Sequence, residues 1–185
     1  MVAAPEDDGL RPMPVLNQLN VRIAGREDAA TIESFSAAMA LETEGRRLDP
    51  GRLRLGIIAL IENPARGFFI VAEQGQGEDC RLLGQLMITY EWSDWRNGAF
   101  WWIQSVYVTP AWRRRGVFRQ MHERVLALAK ASPNVCGVRL YVERNNSAAQ
   151  AVYRKLGLTP SSYAMFETDF ILAPLKSVAD SSIET

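Results

Sequence analysis

Residues 104–121 read QSVYVTPAWRRRGVFRQM. Gln104 to Val108 alternate as a strand does, Thr109 and Pro110 break the pattern, and from Val117 onward apolar residues return at helical spacing with Met121, Val125 and Leu128 on one face. A helix that starts at this point leaves its first backbone N–H groups without intrahelical partners, and they carry the positive end of the helix dipole. Arg113, Arg114 and Arg115 stand directly before that end, adding charge and directional donors. Gly116 suits a turn in which the main chain adopts left-handed torsions and closely approaches an anion. Strand, turn, glycine and helix in this order predict a phosphate-binding turn over Arg113, Arg114, Arg115, Gly116, Val117 and Phe118.

The neighbouring sequence extends the pattern in both directions. Upstream, FFIVAE (68–73), RLLGQLMITYEW (81–92) and GAFWWIQSVYV (98–108) are apolar, β-branched or aromatic, and are separated by the turn-like GQGED and SDWRNG. They predict three antiparallel strands. Before them, a helix is expected from Glu27 to Glu42 with Gly45 as its stop, and a second after the Asp49–Pro50 cap, ending before Asn63. Downstream, Ser132 to Asn134 end the long helix, VRLYV (138–142) predicts a strand, Ser147 to Leu156 a helix stopped by Gly157, and YAMFETDF (163–170) a last strand. A strand, a helix and a further strand in one sheet require parallel pairing, so the expected fold is α/β with a mixed sheet. Residues 1–19 and 173–185 are polar and patternless and predict flexible tails around one domain spanning 20–172.

Composition narrows the function. The chain has 185 residues, 48% of them hydrophobic, which is enough for one real core. Its 21 basic and 21 acidic residues cancel, so no overall field points to nucleic acid or an anionic membrane. Cys80 and Cys136 lack the spacing of a metal or redox pair, and a single histidine, His122, excludes chemistry that needs several imidazoles. His122 is expected mid-helix, at a position between surface and core, without a catalytic role. The N-terminal stretch lacks a leader pattern and no apolar run is long enough to span a membrane, so a cytoplasmic location is expected.

The turn resembles the signature of the GNAT N-acetyltransferases: Gln or Arg, two residues, Gly, one residue, then Gly or Ala. Arg113, Gly116 and Phe118 occupy those places, with Phe118 standing where the family has a small residue. The later VERNNSAAQAVYRKLGL resembles the family's other element, with Asn146, then Ala149, Tyr153 and Gly157 three, seven and eleven positions on. Asn146 also reads independently as a helix cap, and Tyr153, nearly two turns on, falls on the same helical face.

The resemblance implies an acetyl-CoA-dependent acyltransferase whose sheet has two splayed parallel strands, with the thioester lying against the backbone of Val106, Tyr107 and Val108. It implies cofactor contacts at Asn146 and Tyr153, with Tyr153 protonating the departing thiolate, and attack by a primary amine without a metal. The family often places a carboxylate base near the strand that here carries Gln104 and Ser105. Glu91 is the expected base instead, and Glu42, Glu44, Trp92 and Asp94 the expected acceptor contacts, with the aromatic group Trp92, Trp95, Phe100, Trp101 and Trp102 read as core packing or as part of that pocket. A non-catalytic CoA-binding module on the same fold is the alternative. The sequence leaves the acceptor and oligomeric state open, a homodimer being compatible with it.

Overall fold

A computed structural model describes residues 19–172 other than Gln76. Five strands form one sheet in sequential order: β1 (Asn20–Ile23), β2 (Gly67–Gln74), β3 (Arg81–Ser93), β4 (Gly98–Val108) and β5 (Val135–Leu140). The first four pair antiparallel and β4 pairs parallel with β5, as the crossover requires. Helices α1 (Ala29–Glu44) and α2 (Pro50–Ile61) lie between β1 and β2 in sequence, α3 (Val117–Ala131) forms the crossover, and α4 (Ser147–Lys155) follows β5. Both expected tails lie outside the described residues, apart from Leu19.

The alternation of strand side chains divides the apolar residues into two cores. On one face Phe69 and Val71 of β2 meet Ile32 of α1 and Ile57 and Leu60 of α2. On the other, Ile70, Leu86, Ile88 and Ile103 pack against Val117, Met121 and Val125 of α3. Their spacing of four residues keeps these α3 side chains on one stripe, and α3 touches all five strands. Asp49 caps α2 as expected, accepting from the Arg52 N–H at 2.7 Å with Pro50 in the first turn. Gly45, at φ 61°, ends α1 in the left-handed conformation that glycine adopts without penalty.

Three elements depart from the sequence expectation. β1 pairs along β2 from Asn20↔Glu73 to Ile23↔Ile70. It is too short to show an alternation, and cross-strand polar contacts tie it down. Arg22 donates to Asp28 at 2.7 and 3.0 Å and to Glu73 at 2.9 Å, while Asn20 donates to Glu73 at 2.7 Å. β5 runs Val135–Leu140, so it begins and ends earlier than VRLYV suggests. Residues 163–170 join no strand, and Phe166 and Phe170 are exposed.

The Arg22 cluster is expected to govern acid stability. Burial alone would raise the Asp28 carboxyl, but hydrogen bonds from Arg22 and the Gly25 N–H, with the Arg22 charge, hold it below its ordinary 3.8. The hydrogen bond from Arg22 likewise holds Glu73 below 4.5. Both shifts are downward, so their stabilisation is complete above the ordinary values and is lost as pH falls through the depressed ones. Arg22→Met should leave the buried Asp28 uncompensated and cost roughly 3 kcal/mol, a fall of about 5–10 °C in melting temperature for a domain of this size. An unchanged melting curve at pH 7 would show that the cluster contributes no net stability.

Candidate active site

Two features of β4 create an opening in the sheet. Between the pairs Gln85↔Tyr107 and Met87↔Gln104, β3 spends one residue and β4 two, which makes a bulge at Ser105 and Val106. Ser105 takes φ 49° there, a left-handed conformation uncommon for a residue with a side chain. Immediately before the bulge the parallel pairing stops: Ile103↔Leu140 is its last pair, whereas β4 continues to Val108. The last five residues of β4 therefore keep β3 on one side and have no β5 partner on the other.

This strand leads to the arginine turn. Arg114 has φ 61° and Gly116 φ 83°, so left-handed residues recur at alternate positions just before α3, curling successive N–H groups toward one side. A Cβ on Gly116 would meet no heavy atom within 4 Å, so the turn is open outward and its glycine is demanded by torsion rather than by crowding. Arg115 stacks on Trp112 with 5.1 Å between guanidinium and ring centre. The bulk of Phe118 is directed along α3, where its ring lies 6.0 Å from that of His122 and meets Tyr153 edge-on at 5.6 Å. The donor set and open turn fit a pyrophosphate.

Arg113 also reaches back into the fold. Its Nε donates to the Val108 carbonyl at 2.9 Å and its Nη2 to Glu42 at 2.5 Å. The Tyr107 hydroxyl is 3.4 Å from the other Glu42 oxygen. A residue expected to hold the acyl donor and one expected to meet the acceptor thus form an ion pair, and the Val108 carbonyl has a side-chain partner. Glu44 lies beside Arg46 at 3.6 Å.

On the α1/α2 face of the sheet, polar groups run across β3, β4 and β5. The Tyr141 hydroxyl donates to Gln104 at 2.9 Å, and Gln104 donates onward to Thr89. Glu91 accepts from Arg139 at 2.9 Å through one oxygen and from the Trp102 indole through the other. Arg139 is itself 3.5 Å from the centre of the Phe100 ring. Both Glu91 oxygens are engaged by side chains, so neither stands free toward an approaching amine. The aromatic group separates: Trp101 enters the core, Trp102 turns to the opposite face, and Trp92 and Trp95 are exposed. Asp94 accepts from the Trp95 N–H within its own turn at 2.8 Å.

Asn146 caps α4 as expected, accepting from the Ala149 N–H at 3.0 Å. Tyr153 borders a cavity of about 1040 Å³ that touches β5 from both faces of the sheet, with Glu91, Trp102 and Tyr141 on one side and His122 and Val138 on the other. Desolvation raises the Tyr153 phenol above its ordinary value of 10, so it is protonated at neutral pH. Its hydroxyl has no hydrogen-bond partner among the described residues. His122 is a correction to the sequence reading: it is 2% exposed, and desolvation lowers its imidazole below 6.5 despite the opposing charge of Glu123.

The acetyltransferase (GNAT) family profile matches residues 32–158, more than half of the chain. This chain belongs to the GNAT family. A protein of Clostridium difficile 630 described as a possible acetyltransferase is 38% identical, with 84% of this chain and all of that one covered at a TM-score of 0.74. A Clostridium acetobutylicum protein described as a predicted acetyltransferase and solved with acetyl-CoA shares the fold at 17% identity, covering 81% and 96% of the two chains with TM-score 0.65. Glucosamine-6-phosphate N-acetyltransferase of Arabidopsis thaliana does so at 15% identity, covering 82% and 99%, with TM-score 0.62. None of the curated proteins matches the chain. As a GNAT protein it is an acyltransferase with acetyl-CoA as donor. Among the described residues no helix is long and apolar enough to cross a membrane, and no cluster of metal-ligating side chains occurs.

Proposed function

We propose that this GNAT protein transfers the acetyl group to a primary amine that reaches the thioester from the α1/α2 face. The observation that carries this reading is the half-open β4: beyond Ile103 its backbone has no β5 partner, and the bulge at Ser105 re-aims the main chain at the start of that opening. The pantetheine arm would lie along Val106 and Tyr107, with the pyrophosphate at Arg113 to Phe118, and an N–H from the bulge would polarise the thioester carbonyl. As the amine nitrogen bonds to the carbonyl carbon and the carbon–sulfur bond breaks, Tyr153 gives its proton to the sulfur.

Trp102, Tyr141 and Gln104 border the approach of the amine. Glu91, with its two oxygens occupied, orients Trp102 and Arg139, and its charge is balanced by the Arg139 guanidinium. Removal of the ammonium proton then runs through water on this face, with Glu44 the carboxylate whose one ion-pair partner among the described residues is Arg46.

Thiol release from acetyl-CoA, followed over a panel of small primary amines, polyamines and peptides with free N-termini, tests the proposal. The expected result is release that depends on one amine class and yields its acetylated product by mass. If acetyl-CoA binds and no amine accelerates release, the transferase reading of this face fails.

A further inference from the structure

The side chain of Arg113 has two partners within the fold. Its Nε donates to the Val108 carbonyl at 2.9 Å and its Nη2 to Glu42 at 2.5 Å. Both nitrogens belong to one planar fork, so a single orientation of the guanidinium serves both acceptors. The Tyr107 ring centre lies 5.5 Å from that guanidinium, and the Tyr107 hydroxyl is 3.4 Å from the other Glu42 oxygen. Tyr107 also meets Phe35 of α1, with 5.1 Å between ring centres. The end of β4, the arginine turn and the C-terminal end of α1 therefore come together at one junction, with Arg113 at its centre.

Each acceptor has a reason to need this guanidinium. The Thr109 N–H donates to the Leu83 carbonyl at 2.8 Å, toward β3. The Val108 carbonyl and the Thr109 N–H belong to one trans peptide and point in opposite directions, so that carbonyl faces the side from which β5 is missing. Arg113 supplies there the hydrogen bond that a neighbouring strand would have given. Glu42 stands in the last turn of α1, which carries no basic residue, and a carboxylate at the negative end of a helix dipole is unfavourable unless a cation balances it.

We propose that Arg113 is a positioning residue, a clamp that fastens the open edge of β4 to α1, rather than a ligand of the pyrophosphate. The clamp fixes Val108, where the pantetheine arm would end, against the turn whose backbone N–H groups would receive the phosphates. It also fixes the end of α1, from which the chain runs on to the second helix. The inference rests on the donor lying along β4, and concerns how that edge is held.

Calorimetric titration of acetyl-CoA into the full-length protein and its variants, at about 0.15 M salt to screen distant charges, separates a clamp from a phosphate ligand. If Glu42 merely competed with the pyrophosphate for Arg113, Glu42→Ala would free the guanidinium and tighten binding. The clamp predicts the opposite sign. Glu42→Ala should weaken acetyl-CoA about threefold, a small effect because the two side chains of the pair are 43% and 42% exposed. Arg113→Met should weaken it about fivefold, since it also releases the Val108 carbonyl, and the double variant should be no weaker than Arg113→Met alone. Arg113→Lys keeps the charge but has no planar edge to span both acceptors, so it should bind no better than Arg113→Met. Tighter binding by Glu42→Ala, additive losses in the double variant, or wild-type affinity in Arg113→Lys would each overturn the inference. Wild-type affinity in all of these variants, with binding lost in Gly116→Glu, would also overturn it while leaving the donor at the turn. Alanine favours a helix, so Glu42→Ala is expected to fold, and melting curves without ligand check each variant.

Discussion

Gly116→Glu is expected to abolish the rise in melting temperature that acetyl-CoA produces in the wild-type protein. At a ligand concentration about 100 times Kd, a ligand bound only by the folded state stabilises it by roughly 2.7 kcal/mol, or roughly 5–10 °C for a domain of this size. The variant loses this in two ways. Gly116 has φ 83°, where a residue with a side chain is strained, so the N–H groups of the turn lose their common direction. The new carboxylate also enters the space outside the turn that an anion would occupy, and pairs with the arginines in its place. Gly116→Ala brings the strain, about 1 kcal/mol, without the charge. It should keep a reduced ligand shift, which separates geometry from electrostatics. A full acetyl-CoA shift in Gly116→Glu would mean that the pyrophosphate binds elsewhere.

Tyr153→Phe is expected to lower kcat about 100-fold, the lower part of the range for general acid catalysis, with little change in KM for acetyl-CoA. The substitution keeps the ring against Phe118 and removes only a hydroxyl that has no protein partner among the described residues, so the melting temperature should move little. The pH dependence gives a second check. Burial pushes the phenol upward from 10, so the proton it donates remains in place through the neutral and mildly alkaline range. Wild-type kcat should therefore show no alkaline fall below about pH 10 from this group. Wild-type turnover in Tyr153→Phe would assign the proton transfer to solvent.

Much of this arrangement is legible in the residue order because it depends on neighbours in sequence. Asp49 with Pro50, Asn146 with Ala149, and Arg113 through Gly116 are local devices, and each adopts the expected geometry. Adjacent Trp101 and Trp102 show what composition leaves open: as one cluster they read as core packing or as pocket lining, and the two-residue period of a strand sends them to opposite faces, Trp101 into the core. β1 escapes a pattern search because four residues show no period, and its pairing depends on Glu73, which lies 51 residues from Arg22. The Glu42–Arg113 pair spans 71 residues and appears only when α1 crosses β4. His122 follows Met121 directly, and that its ring lies inside the fold cannot be decided from the spacing along α3 alone. The segment 163–170 has strand-like composition, but a strand also needs an edge to pair with, and here it takes none.

The contacts of α3 with all five strands have a consequence for how the arginine turn can act. A loop that must first be ordered around its ligand spends part of the binding energy on its own conformational entropy. Here the N–H groups leading into α3 are fixed by a helix that packs on every strand of the sheet, so an anion bound at this turn would meet a preorganised cradle. In the proposed mode of binding, energy from the nucleotide end of the donor would then be left to align the thioester with the amine, some distance along the same strand.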